Sequence, residues 1–352
     1  LFMPPDVYMY ETDQRAVIFY ENNVETLILS TTFRGSAKDF GWVVPVPSKP
    51  EVSRGSDEIF TSLDELTRVE NNYFPNPLGG LGINDSVQKE APVLVVETKK
   101  IDYYDITVLT ASDSQALAEW LEKNRYQFPQ NSSYILDSYI SNQWYFVAIK
   151  IDASSASFKI SSQLREGHMV PLKLEFSTDR IVFPLKISSL MENKYQPSVI
   201  PLEESLVPDI ASEQGMSTPP SDIYSPSRPY YPSQVGILIY VFTPENKQIL
   251  PGFETSYAGW VKKDEIKDLA FDEKGNPLIN PTKDKYFLTK LTRWMSYSQM
   301  TDDLYLRNAP DNDLVDSLPL KEKNPVWFWI AMGLSVAMIL GVGAALVYLS
   351  KK

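Results

Sequence analysis

From Val326 to Leu349 the sequence carries no charged residue, and it then closes with Ser350, Lys351 and Lys352. At ~1.5 Å per residue, a helix of that length covers roughly 30 Å or a little more, enough for the hydrocarbon core of a bilayer. Trp327, Phe328 and Trp329 crowd one end and Tyr348 stands at the other, where amphipathic rings favour the headgroup level. Lys351 and Lys352 can snorkel beyond it. The run predicts one transmembrane helix over 326–349 with a short tail at 350–352, and a lipid bilayer as the first partner. Gly333, Ala337, Gly341 and Ala345 recur every fourth residue along it. Such a small-residue seam lets a second helix approach closely, so packing against a partner or a second copy is expected there.

What precedes the span is a different material. The chain has a net charge of -12, and a body so acidic repels nucleic acid phosphates and anionic lipid alike. Neither nucleic acid nor nucleotide is expected as a partner. With 43% hydrophobic and 12% aromatic residues, the body is too apolar for disorder and long enough for one large core or two smaller ones. The absence of cysteine excludes disulfides, thiol catalysis and cysteine metal sites. Lys321 and Lys323 before the span balance Lys351 and Lys352 after it, so flanking charge does not set orientation. A start at Leu1 rather than methionine is expected of a processed product whose secretory signal has been removed, although a truncated chain would look the same. That favours a body outside the cytoplasm with a tiny cytoplasmic tail.

Along the chain, Val24 to Phe33 reads as a strand, and "DFGWVVPVPSKP" as an edge strand or its exit, because Pro45 and Pro47 lack the ladder donor. Ser56 can cap a short helix that presents Ile59, Phe60, Leu63 and Leu66 on one side. After a Pro/Gly-rich loop, "APVLVVETKKIDYYDITVLTA" offers two strands. Ser112 and Gln115 then have capping-box spacing ahead of a helix holding Leu117, Trp120 and Leu121. "QWYFVAIKID" is a strand, and "PLKLEFSTDRIVFPLKI" predicts a hairpin around Ser177 to Arg180. Prolines dominate 197–234, a linker or surface excursion. "VGILIYVF" is a strand, "SYAGWVKKDEIKDLAF" a short strand and a helix, and "KYFLTKLTRWM" a strand or a helix. Runs of adjacent strands argue for an α+β fold, β-rich with a few short helices, not a doubly wound parallel sheet. The expected organisation is a first part over 1–196, the linker, a second part over 235–308 packing with the first, a polar stalk over 309–325, and the span.

The strings "DQRAVIFYENNVETLILSTTFRGSAKDFGWVVPVPSKPE", "ALAEWLEKNRYQFP", "YFVAIKID", "PLKLEFSTDRIVFPLKIS" and "YFLTKLTRWMSYSQMTDDLYL" together resemble the bacterial domain of unknown function 2330 family. The resemblance covers nearly the whole body, and "FGWVVPVPS" and "EWLEKNRYQFP" are its most specific parts. It implies an exported, envelope-located protein with a removable signal and a terminal membrane segment. It brings no activity and no catalytic residues. Family members often carry cysteines near the mature start; this chain has none, so no disulfide carries over.

The residues themselves offer little chemistry. His168 is the only histidine, in "REGHMVP", and no serine sits in a G-x-S-x-G context, so neither a catalytic triad nor a zinc site is expected. Asp311, Asp313 and Asp316 lie close together but lack the glycine and closing glutamate of an EF-hand, and read as a solvated acidic stalk; calcium stays open. Gly79, Gly80 and Gly82 lack the lysine and hydroxyl that follow a phosphate loop. Tyr103, Tyr104, Tyr134, Tyr139, Trp144, Tyr145, Tyr230 and Tyr231 are mostly core, with some able to stack on sugars or partner proteins. No catalytic, cofactor or metal residue is assigned. The expected function is recognition: a single-pass envelope protein that binds or scaffolds other membrane or envelope proteins, as an accessory subunit of a larger assembly. A carboxylate-based envelope hydrolase or carbohydrate-active enzyme is the alternative, and a tail-anchored cytoplasmic adaptor the third.

Overall fold

The computed structural model describes residues 9–35, 39–67, 92–126, 128–129, 132–152, 167–194 and 234–315. The expected membrane helix, its tail, most of the Pro-rich segment and residues 316–325 lie outside them. The first two strands, β1 (Met9–Glu21) and β2 (Val24–Gly35), form a hairpin. Asn22 and Asn23 make its turn with φ of 53° and 60°. Two consecutive left-handed residues match the right-handed twist of the flanking strands, and asparagine tolerates that conformation. Next come β3 (Asp39–Val46), β4 (Glu51–Arg54), α1 (Glu58–Leu66), β5 (Val93–Ile101), β6 (Tyr104–Ala111), α2 (Ser114–Lys123) and α3 (Tyr134–Ser141). They are followed by β7 (Tyr145–Asp152), β8 (Leu172–Ser177), β9 (Val182–Phe183) and a 3-10 helix at Lys186–Lys194. The remaining elements are β10 (Val235–Thr243), β11 (Gln248–Ile249), β12 (Glu254–Lys262), α4 (Lys263–Lys267), β13 (Lys285–Met295), a second 3-10 helix at Tyr297–Gln299, β14 (Leu304–Tyr305) and β15 (Arg307–Asn308).

A seven-stranded sheet runs in the order β12-β13-β10-β1-β2-β8-β4, and a four-stranded sheet in the order β3-β7-β6-β5. The fold is α+β and β-rich. Strand β10 lies parallel to β1, so the chain before the Pro-rich segment and the chain after it share one sheet. Strand β3 is an edge strand, as Pro45 and Pro47 require. Two local expectations are corrected. Strands β8 and β9 do not form a hairpin: β8 pairs with β2 and β4, while β9 pairs with β14 from the far end of the chain. Helix α2 is capped by Asp113, whose Oδ1 accepts from the Ala116 backbone N–H at 2.7 Å, one residue beyond the predicted Ser112.

Register explains the layering. Ala16, Ile18, Leu27, Leu29, Leu174 and Ile239 share one face of the large sheet and pack with Val44, Ile106, Val147 and Ile149 of the small one. Val17, Phe19, Ile28, Tyr240, Phe242 and Leu288 share the other face, under Ile59, Phe60 and Leu63 of α1 and Ile266 of α4. Helices α1 and α4, the large sheet and the small sheet are therefore stacked in that order, while α2 and α3 pack in the core shared with the small sheet. The centres of strands β1 and β2, Ala16 to Phe19 and Leu27 to Leu29, are apolar on both faces because both are covered.

Glu25 breaks this apolar pattern. It sits on the core face with Leu27 and Leu29, fully buried, and its Oε2 accepts from the Val182 N–H at 3.0 Å. Among the described residues its other oxygen has no hydrogen-bond partner. Burial pushes its carboxyl well above the ordinary range, with the Val182 N–H pulling the other way. A raised acid favours folding most when protonated in both states; that advantage is lost as pH rises through the unfolded value towards the folded one. Glu25→Gln removes the titration. Urea midpoints measured from neutral to acidic pH should shift in favour of wild type relative to Glu25→Gln as pH falls, whereas parallel profiles would place the charge elsewhere.

Candidate functional site

The seam residues Gly333, Ala337, Gly341 and Ala345 lie outside the described residues, as do the interfacial Trp327, Trp329, Tyr348, Lys351 and Lys352 and the loop glycines Gly79, Gly80 and Gly82. No helix among the described residues is long and apolar enough to cross a membrane. Nor does any group of three or more His, Asp or Glu there suit a metal ion. Asp311 accepts from Lys247 Nζ at 2.7 Å and from the Asp313 N–H at 3.0 Å. The Lys247 ammonium holds the Asp311 carboxyl below its usual range. Asn312 Oδ1 also accepts from the Lys247 N–H, and Val315 exchanges two backbone hydrogen bonds with Ala258 of β12. The chain is thus fastened to the body as far as Val315.

Asp303 is occupied as well, accepting from Tyr139 OH at 2.8 Å and the Lys186 N–H at 3.0 Å. Among the predicted aromatics, Tyr103, Tyr104, Tyr139 and Trp144 are buried, and Tyr134 is exposed. His168 is exposed, and its backbone bridges Thr32 at the open end of β2.

Carboxylates do converge, but on arginine. Arg54, at the end of β4, sets Nε 2.7 Å from Asp102 Oδ2 and pairs through Nη1 with Glu273. Burial pushes the Asp102 carboxyl up, and the Arg54 guanidinium opposes it. Beside them, Tyr104 OH donates to the Val170 carbonyl at 2.7 Å, and the Val170 N–H donates to Tyr103 OH at 2.9 Å. The remaining contact, 2.9 Å between the two hydroxyls, must then run from Tyr103 to Tyr104. Burial pushes Tyr103 up to about 12 and raises Tyr104 too. Both phenols stay protonated at neutral pH, so this closed ring pins the small sheet to the chain entering β8. It does not move protons.

A more open arrangement lies at the other end of the helix-bearing face. Thr32, Asp13, Gly236 and Trp294 form one rung across β2, β1, β10 and β13. A bulge between Glu11 and Asp13 inserts Thr12 beside this rung. Bulges of this kind re-aim a side chain. The Thr12 hydroxyl meets the Thr32 hydroxyl at 2.5 Å and lies 3.4 Å from Asp13 Oδ2, and Thr32 donates to that same oxygen. Arg15, one rung in, reaches Asp13 Oδ1 at 3.5 Å, Asp57 Oδ1 at 3.8 Å and Ser30 Oγ at 3.2 Å, with its guanidinium over Phe60. Trp294 is 66% exposed, and its six-membered ring lies over Gly236, where an added Cβ would come within 3.2 Å of two ring atoms.

A family model described as an uncharacterized protein conserved in bacteria (DUF2330) matches residues 2–205. The chain belongs to this family. No curated protein and no solved structure matches it. The DUF2330 match ends inside the Pro-rich segment, short of "YFLTKLTRWM", so the resemblance expected over nearly the whole body is shown for its first part. The rung above straddles that limit: Thr12, Asp13, Arg15 and Thr32 fall inside the DUF2330 stretch, Gly236 and Trp294 beyond it. Trp294 escapes a reading of sequence because "KYFLTKLTRWM" suits strand or helix. Only as a strand does its period of two align Trp294 with Tyr286 and Leu288.

Proposed function

We propose that this DUF2330 chain is a single-pass envelope protein whose extracytoplasmic body binds partner proteins, as an accessory subunit of a membrane assembly. The observation that carries the reading is the uncharged run from Val326 to Leu349, with aromatic residues at both ends and the seam from Gly333 to Ala345 along it. Trp260 on the outermost strand β12 adds a contact outside the bilayer. It is 40% exposed, meets buried Phe287 edge-on at 5.0 Å between centroids, and carries Lys285 Nζ 4.1 Å from its ring centre. An exposed aromatic held so firmly loses little freedom on binding, which suits an interface anchor.

The test uses the full chain. Protease added to intact cells should cleave the body, whereas protection would place it in the cytoplasm. In mild detergent the wild type should retain co-purifying proteins. Gly341→Ile should lower their recovery roughly tenfold, the equivalent of about 1.4 kcal/mol. Recovery of a bare monomer from wild type across several gentle extractions, or equal recovery with Gly341→Ile, would remove the assembly reading.

A further inference from the structure

We propose that the Trp294 rung is a saccharide-binding subsite, with the indole as a stacking platform and the Asp13 cluster as the group that engages sugar hydroxyls. Several observations converge there. Trp294 is 66% exposed, and the outer atoms of its six-membered ring lie close to Gly236, so most of the indole is presented to solvent. Glycine at 236 allows this close approach, because an added Cβ would meet ring atoms Cη2 and Cζ3 at 3.2 Å and push the indole outward by a few tenths of an ångström. The ring extends from β13 over β10 towards β1, where the next residue on the rung is Asp13. Neighbouring strands are about 4.8 Å apart, so one strand spacing separates Gly236, beneath the indole, from Asp13, a gap that a sugar ring can span.

The polar side of the subsite is built rather than incidental. The bulge in β1 brings Thr12 alongside Asp13 and Thr32, and these hydroxyls together with Arg15 fix the carboxylate's orientation. Arg15 lies between two carboxylates, Asp13 and Asp57, whose side chains remain 34% and 41% exposed. The cluster is therefore rich in acceptors, with guanidinium and hydroxyl donors close by. That composition repels anions and favours a neutral ligand with several adjacent hydroxyls, able to donate to Asp13 Oδ2 and accept from the Arg15 guanidinium, the threonine protons being already committed within the cluster. A flat aromatic face beside such a polar group is complementary to a sugar ring, which has an apolar C–H face and a polar rim. A stacked nucleobase would share the platform, but its phosphates would meet the carboxylates and the acidic body. This subsite needs neither the membrane span nor a protein partner.

The full chain in a sugar-free detergent should be applied to an array of neutral oligosaccharides, with chitotetraose and cellotetraose then titrated by calorimetry. Saturable binding of at least one neutral oligosaccharide is expected. Trp294→Ala should weaken it more than roughly tenfold, and Asp13→Asn roughly tenfold, while Trp260→Ala leaves it unchanged. Trp294 is mostly exposed, so Trp294→Ala should keep the wild-type unfolding midpoint and the loss cannot be read as misfolding. Gly236→Val, which lifts the indole, should weaken binding while Trp294 is still present. The absence of binding by any neutral oligosaccharide would overturn the proposal, as would affinity indifferent to Trp294→Ala. Binding of a peptide of residues 224–233 that is lost in Trp294→Ala, without sugar binding, would reassign the platform to proline recognition.

Discussion

Gly167→Ala is expected to unfold the body under conditions where the wild type is folded. Gly167 has φ of +83°, and an added Cβ would come 1.7 Å from the Phe33 carbonyl oxygen and 2.9 Å from its carbonyl carbon. Nothing there can yield cheaply. The Phe33 N–H donates to the Gly167 carbonyl at 2.8 Å, which holds the two backbones together, and the Phe33 ring is buried in the larger core. Relief of the clash would pull the end of β2 from the segment that leads into β8. A left-handed residue with a Cβ costs about 1–2 kcal/mol, and the backbone collision brings the expected loss to about 4 kcal/mol or more. Gly275→Ala separates the two contributions. Its φ of +80° is nearly the same, but nothing lies within 4 Å of the added Cβ, so the cost should be about 1 kcal/mol. Urea midpoints followed by circular dichroism should show that order; equal losses would mean that backbone conformation alone matters at Gly167.

The fold was legible where local pattern decides and illegible where distant pairing does. Ile59, Phe60 and Leu63 turn one side of α1 to the large sheet, as spacing predicts. Asp57 rather than Ser56 takes the N-cap position and makes no side-chain cap; Ser56 Oγ instead accepts from the Glu58 N–H at 3.2 Å from one residue earlier. Strand β1 was not read, because it is covered on both faces and shows no alternation: Ala16, Val17, Ile18 and Phe19 are a continuous apolar run. Its signal was the Asn22-Asn23 pair between two apolar runs, the chemistry of a tight hairpin turn. The parallel pairing of β1 with β10, and that of β9 with β14, join residues more than a hundred positions apart, and no local pattern fixes such partners.

The candidate subsite was hidden for the same reason. Trp294 is an ordinary aromatic until its strand is in register with Gly236, and Asp13 an ordinary carboxylate until the bulge sets Thr12 beside it. Each of the two strands contributes half of a pattern whose meaning lies across the sheet. Of the tyrosines called out by sequence, Tyr103, Tyr104 and Tyr139 are core, Tyr134 is exposed, Tyr145 is half-buried, and Tyr230 and Tyr231 lie outside the described residues. Tyr103 and Tyr104 satisfy their hydroxyls internally, which allows full burial.

Arg54→Met should cost about 2–3 kcal/mol at neutral pH, because it strands two partly buried carboxylates that now share one guanidinium. Side-chain exposure is 30% for Arg54, 13% for Asp102 and 20% for Glu273, so solvent screens the network only in part. Asp102 and Glu273 repel each other, and the repulsion already adds to the burial that raises Asp102. Without Arg54 that carboxyl rises further. The sign of the pH dependence follows: the penalty is greatest where Asp102 is charged in folded and unfolded chains alike, and it fades as acid protonates Asp102 first in the folded chain. The gap between wild type and Arg54→Met should therefore narrow as pH falls from about 7 towards about 4, the range over which ordinary carboxylates begin to take protons. Arg54→Met combined with Asp102→Asn and Glu273→Gln should recover most of the loss, since it removes the stranded charges and not merely their partner. A gap independent of pH, or a triple variant no more stable than the single one, would mean that Arg54 acts through packing of its stem. Since Arg54 joins β4 of the large sheet to the β5–β6 turn of the small one, loss of the network should also loosen that turn. Amide exchange at Asp102 to Tyr104 should rise in the single variant and return towards wild type in the triple.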